Sequence, residues 1–552
     1  MKKIFYIHLI LLTLTACSDV LDKSSLTSIT DDQAWNDPNL ADSYLAKIAL
    51  DNSPGWGTAE KHCDEATAGN NFGVSYGLIT SGDLQGLAYW PYANIRSINI
   101  VFEKLSASSL SESQKNLLEG QAHFWRAYVY FEMVKRYGGV PIIKDVQKLS
   151  NDIFVARNKT SECFDFIIDE LDKAITMLPV TFTGNETGKI NRAVAFALKG
   201  RILLYKASPQ FNPSDNAALW TDAYNANKAA NDSLLMYGYG LYDNFSNFWF
   251  NEMNKEVVFV TRFNNPERTT GASNDRRPTS EGMFISGGAG GSPVQELVDA
   301  FPMIDGTPIV GHSGYDPQKY WENRDPRFDA TIVYNGKIWE LSGKTGRIQW
   351  TYNGYNPDGY GTSFGTLSGY YTCKAVELAP TAATAVSGGV DWVEIRFAEV
   401  MMNYAEAANE TGHTDVAYEV LKQIRKRAGL IPGVNDMYGL TEGQNKVEMR
   451  ETLMKERLIE FAYENKRFWD LRRLRWLNRL TGTQRHGLHS IPIDPNDISK
   501  GFTLEGFIVD TQQAMNFPDN YYFLPMTKSE MDKNPNLKQT DGWDEGGFNP
   551  LQ

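Results

Sequence analysis

Apolar residues recur at helical spacing through both ends of the chain and lose that spacing in the middle. Toward the N-terminus the pattern predicts helices over residues 30–50, 92–104, 111–137, 160–177, 191–208 and 220–235. Thr30 and Ser111 stand where N-caps belong, and Asp31 and Asp32 complement the first helix dipole. Gly138-Gly139, with Pro141 beyond, closes the 111–137 helix. Successive helices joined by short connections predict tetratricopeptide-like units stacked as a small solenoid. Helices resume over 394–410, over 414–428 with Gly429 as its stop, and over 446–476.

The last of these is the longest, with no Gly or Pro between Lys446 and Trp476. Leu453, Met454, Leu458, Phe461, Ala462, Phe468, Trp469 and Leu471 cover about half of its wheel, enough to meet more than one neighbour. Arg457 and Glu460, Glu464 and Arg467, and Asp470 and Arg473 stand three apart and can pair along a helix. Glu456, Glu460 and Glu464 align at i, i+4; interleaved cations mark them as solvated or framework ion pairs rather than catalytic acids.

Two zones break the helical texture. Residues 51–91 are rich in Gly and carry Trp56, Phe72, Tyr76, Tyr89 and Trp90. Residues 237–390 are the richest in Gly, Tyr and Trp, with strand-like runs at 257–261 and 331–334. The expected organisation is therefore a leader at 1–16, a helical scaffold at 17–236 with loops at 51–91, an irregular region at 237–390, and closing helices at 391–552. The fold class is mostly α, a tetratricopeptide-like helical scaffold bearing an irregular, loop-rich α+β region.

Several motifs resemble one family. Glu456-Arg457-x-x-Glu460-Phe461-x-x-Glu464-x-x-Arg467-x-Trp469-Asp470-Leu471-x-Arg473 is similar to the C-terminal signature of the SusD/RagB family. Arg126-Ala127-x-x-Tyr130-Phe131, Tyr137-Gly138-Gly139-Val140-Pro141, Asn323-Arg324-Asp325-Pro326-Arg327-Phe328 and Ile424-Arg425-x-Arg427-Ala428-Gly429 resemble it too. The resemblance implies tetratricopeptide-like repeats and a surface lipoprotein that captures nutrients for a SusC-like TonB-dependent transporter. It also implies a ligand face built from the loops after the first helix and from the middle region.

Composition sharpens this picture. Aromatics make up 12% of the chain, including 13 Trp and 27 Tyr, a surplus that serves core packing or a stacking surface. A net charge of −13 argues against nucleic-acid binding. Lys2 and Lys3 followed by an apolar run to Leu14 read as a secretion signal, too short to span a membrane. Leu14-Thr15-Ala16-Cys17 is similar to a lipobox, placing outer-membrane lipid on Cys17; Asp19 and Asp22 favour the outside face. Cys63, Cys163 and Cys373 form no disulfide framework, and no pairing among them is singled out.

Catalytic chemistry finds no support in the sequence. Gly361-Thr362-Ser363-Phe364-Gly365 matches a nucleophile elbow, but its flanks predict neither the strand nor the helix that an elbow needs. His62-Cys63-Asp64-Glu65 lacks metal-ligand spacing; His486 and His489 are expected in a loop; residues 286–292 read as a flexible glycine segment. No cofactor and no metal are expected, and no carboxylate pair is singled out for glycoside hydrolysis. The expectation is a non-enzymatic, oligosaccharide-binding protein, in which flat rings stack on sugar C–H faces and planar polar groups read the hydroxyls. Trp90 and Trp321 are the candidate platforms, Tyr89, Trp350 and Tyr352 secondary ones, and Asp64, Asn71 and Arg96 the hydrogen-bonding groups. Peptide capture, as in the RagB branch, an envelope glycoside hydrolase, and a purely structural lid on the transporter are the alternatives.

Overall fold

The computed structural model describes residues 29–68, 73–149, 152–270, 276–282, 291–385 and 387–552. Cys17, Asn71 and most of the 286–292 glycine segment therefore lie outside the described residues. Thr30 caps α1 (Asp31–Asn36) in a reciprocal box with Gln33. The single helix expected over 30–50 is interrupted at Asp37, whose carboxylate caps α2 (Pro38–Asn52). Pro38 sits at the first position of α2, where its missing N–H costs nothing, so it begins a helix instead of continuing one.

The scaffold continues through α3 (Tyr92–Ala107), α4 (Glu112–Tyr137), α5 (Thr160–Met177), α6 (Arg192–Ala207) and α7 (Ala217–Met236). From α3 onward each helix packs on the next. Ser111 caps α4 in a box with Gln114, and Gly138 ends it at φ 74°, a conformation L side chains resist. The chain then leaves the array for an irregular region with β1 (Val257–Thr261), α8 (Gln295–Ala300) and α9 (Pro326–Thr331). It returns through β2 (Trp392–Arg396), antiparallel to β1, which runs directly into α10 (Phe397–Glu410). The helix expected from residue 394 thus starts at Phe397, because β1 claims the preceding residues as a partner strand. α10 packs on α7 and on α11 (Thr414–Ala428), so the helical array closes across the irregular region as a mostly helical, tetratricopeptide-like scaffold. Phe259 of β1 lies among Phe124, Trp125 and Tyr128 of α4, at 5.5, 6.0 and 5.7 Å between centroids, locking that region onto the array.

The long helix expected over 446–476 is two helices, α12 (Lys446–Glu460) and α13 (Arg467–Arg473). Between them Tyr463 and Asn465 take φ of 62° and 56°. The Tyr463 N–H donates to the buried Glu65 carboxyl group, and Asn465 Oδ1 accepts from the Ala59 N–H at 3.1 Å, so tertiary bonds hold the break open. The break also reassigns two of the expected pairs. Arg457 binds Asp470 at 2.8 Å and Arg467 binds Asp64 at 2.7 Å, while Asp470–Arg473 forms as expected at 2.9 Å.

Glu456, Glu460 and Glu464 are buried framework acids. Arg327 of α9 bridges Glu456 and Glu460 at 2.7 and 2.8 Å; Arg396 of β2 reaches Glu460 and Glu464 at 2.6 and 2.8 Å. Arg425 and Arg427 of α11 and Lys374 complete the cluster. These cations hold the Glu460 carboxyl well below the usual range against the upward push of burial. The cluster ties four elements and the irregular region together.

After α13 come β3 (His486–Pro492) and β4 (Phe502–Ile508), an antiparallel hairpin. His486 and His489, expected in a loop, lie on β3. Residues 528–533 form a last short helix, α14 (Lys528–Lys533). Gly361 to Gly365 lie in successive turns without the strand and helix of a nucleophile elbow. Cys63, Cys163 and Cys373 are unpaired. No helix among the described residues is long and apolar enough to cross a membrane.

Candidate functional site

Residues 350–360 wrap the outer edge of β3. The Asn353 N–H donates to Ser490 O at 3.0 Å, and the loop closes on itself where the Gly354 N–H donates to Tyr360 O at 2.9 Å. Alternation along β4 sends Phe502 and Phe507 to opposite faces of the hairpin. Trp350 and Tyr352 close on Phe502 at 5.8 and 5.5 Å, with Tyr355 5.0 Å beyond Tyr352. On the other face Tyr360 sits 4.6 Å from Phe507, which stacks on His489 at 3.9 Å. Burial lowers the His489 pKa, so the ring is neutral at neutral pH, and its Nδ1 lies 3.1 Å from the Asn353 amide nitrogen.

The first face extends toward Trp321. Gly336 lies under Trp350, close enough that a Cβ there would stand 3.5 Å from the indole. Asn335 Oδ1 accepts from the Thr351 N–H at 2.9 Å, and Tyr334 stacks on Trp321 at 5.2 Å and 11°. Trp321, Tyr334, Trp350, Phe502, Tyr352 and Tyr355 are all half-buried, held firmly on one side and open on the other. Ile338 and Ile348, 63% and 42% exposed, pair across a short ribbon beside them. The result is a partly exposed aromatic strip, bordered by the planar amide of Asn335. Its chemistry suits an extended ligand with apolar faces and hydroxyl edges.

The other candidates fall elsewhere. Trp90 and Arg96 border one groove of about 330 Å³ with Tyr92, Pro141, Asn534 and Leu537, where Arg96 is exposed and donates to Gln147 O at 2.9 Å. Tyr89 lines a separate cavity of about 370 Å³, with the Arg136 guanidinium 5.1 Å over its ring. Asp64 is taken up by a fork from Arg467 at 2.7 and 3.0 Å and anchors its loop to α13. The structure thus brings Trp321, Trp350 and Tyr352 together, and Trp90 with Arg96, but it does not gather all the candidates at one place. Phe502, Tyr355, Tyr360, Phe507 and His489 are missing from the sequence-based set. The alternation of residues 486–492 and 502–508 about a Pro- and Gly-containing turn was the signal that could have found the hairpin presenting three of them.

Three family models match the chain. The SusD family model matches residues 255–543, a model described as starch-binding and associating with the outer membrane matches 22–204, and a prokaryotic lipoprotein lipid-attachment site matches 1–18. SusD-like protein P2 of Formosa agariphila is 24% identical over 507 residues, 86% of this chain and 84% of that protein. A SusD-like protein from Bacteroides fragilis superposes with a TM-score of 0.77 at 29% identity, covering 94% of this chain and all of that one. A laminarin-binding SusD-like protein superposes with a TM-score of 0.65 at 19% identity, covering 92% of this chain and 99% of that one. The lipid-attachment site and the outer-membrane family place the protein at the outer membrane on a lipid anchor. With the SusD model spanning more than half its length, the chain belongs to the SusD family.

Proposed function

We propose that the protein captures oligosaccharides on the aromatic strip of the hairpin and passes them, unaltered, to a SusC-like TonB-dependent transporter. The carrying observation is two groups of half-buried rings, Trp321 with Tyr334 and Trp350 with Phe502, Tyr352 and Tyr355, joined through Asn335 and Gly336. A rigid ring loses little freedom when a sugar stacks on it, so most of the contact energy appears as affinity. Starch-binding in the description of one matching model, and laminarin-binding in one structural neighbour, both support a glycan as ligand. Acyl chains on Cys17 hold the strip at the outer face, where capture raises the local sugar concentration beside the transporter. Trp90 and Arg96 provide a second contact in their groove, whereas the bonds of Asp64 serve the fold.

The test is an affinity series of the lipid-free protein against starch- and laminarin-derived oligosaccharides. Trp350→Ala and Trp321→Ala are each expected to weaken binding about tenfold, the equivalent of ~1.4 kcal/mol of lost stacking and apolar burial. Unchanged affinity in both variants removes the strip as the site, and tighter binding of peptides than of any glycan overturns the ligand class.

A further inference from the structure

A second pocket is lined by Asp51 to Gly55, Gly57 and Thr58 and by side chains of α4, α6 and α13. Along most of its wall each cation meets a carboxylate. Arg201 forks onto Glu399 at 2.7 and 2.8 Å, Arg457 binds Asp470 at 2.8 Å, and Lys466 stands 3.2 Å from Glu399. At the α4 end this matching fails. Lys135 and Arg136 share the single carboxylate of Glu132, at 2.6 and 2.7 Å. Behind them Arg472 donates, among the described residues, only to carbonyl oxygens of Tyr522 and Arg136.

All three cations gather over the Trp469 ring, at 4.3, 4.8 and 5.5 Å. Donors also remain. Arg136 Nη2 makes no hydrogen bond among the described residues, and Lys135 Nζ uses one of its three donors, on Glu132. Excess positive charge with spare donors, on largely buried side chains, is a complement to an anion. The remaining wall offers the amides of Asn403 and Asn465 and the carboxylates of Glu394 and Glu399, with Tyr89 as a flat ring.

We propose that this cavity is a second ligand site, separate from the outer strip, which takes one small polyhydroxy carboxylate of the uronic acid monosaccharide class. The carboxylate docks on Arg136 Nη2 and Lys135 Nζ, the ring lies against Tyr89, and the hydroxyls meet the amides and paired carboxylates. The cavity volume of about 370 Å³ leaves room for a sugar ring.

Calorimetric titration of the lipid-free protein with D-galacturonate, D-glucuronate, D-galactose and L-glutamate tests this. A uronate is expected to bind saturably and galactose at least tenfold more weakly, with Lys135→Met costing the uronate at least tenfold while the helical circular dichroism is kept. The comparison of acid with neutral sugar on the unaltered protein decides the matter by itself should that variant not fold. Absence of uronate binding, galactose as tight as galacturonate, or glutamate as tight as either uronate overturns the proposal. Because only single-residue ligands are used, the result does not depend on capture at the outer strip.

Discussion

Glu65 shows how burial sets the behaviour of one residue. Its carboxyl is pushed up to about 8, first by desolvation and then by the neighbouring Glu60 and Asp64, against the Tyr463 N–H and Lys374. The folded protein therefore holds a proton there that the unfolded chain releases near pH 4.5. This residue contributes nothing below that pH and destabilises the fold increasingly as pH rises toward about 8. Glu65→Gln keeps an acceptor for the Tyr463 N–H and removes the charge. Its unfolding free energy should match the native protein's near pH 4.5 and exceed it by roughly 2 kcal/mol or more at pH 8. A denaturant titration at the two pH values checks this, and an equal gap at both refutes it. Residue roles of this kind were poorly legible in the sequence. The tryptophan surplus was plain, yet Trp125 and Trp392 are fully enclosed, Trp56 packs against Trp249 and Trp392, and Trp350 stays half-open. Distant chain segments decide which ring is a platform, and a single sequence does not place them.

Elements were legible where local rules and packing agree. The 160–177 and 414–428 helices and the 257–261 strand stand where periodicity puts them, and Thr30, Ser111 and Gly429 cap or stop helices as their chemistry requires. They were illegible where tertiary bonds override propensity. Nothing local in Phe461 to Lys466 breaks a helix; the break is held by Glu65 and Ala59, about 400 residues earlier in the chain. Asn465→Ala loses its bond to the Ala59 N–H and keeps a strained positive φ. It should lower stability by about 1–3 kcal/mol. Chemical denaturation reads this directly, and a loss below the error of the fit would show that the turn is not held from outside.

At the scale of the molecule, a helical array is closed by α10 returning to α7, and the chain between them is free to be irregular. That region, with the hairpin, carries half-buried rings, while the buried cluster around Glu460 fixes the region to the array. The family was legible because its signature residues build that cluster: Arg327, Arg425, Glu456, Glu460 and Glu464 are spaced by the demands of ion pairing. The ligand surface was only partly legible, since it depends on loops placed by contacts with distant segments, as Trp350 and Tyr352 are by Phe502. The central claim is that the strip holds a glycan without cutting it. Its most direct measurement is equilibrium binding of starch- and laminarin-derived oligosaccharides to the lipid-free protein, followed by chromatography of the recovered sugar. The account predicts saturable binding that Trp350→Ala and Trp321→Ala weaken, with every oligosaccharide recovered at its original length. Shortened products formed by the protein alone, or binding indifferent to both substitutions, would contradict it.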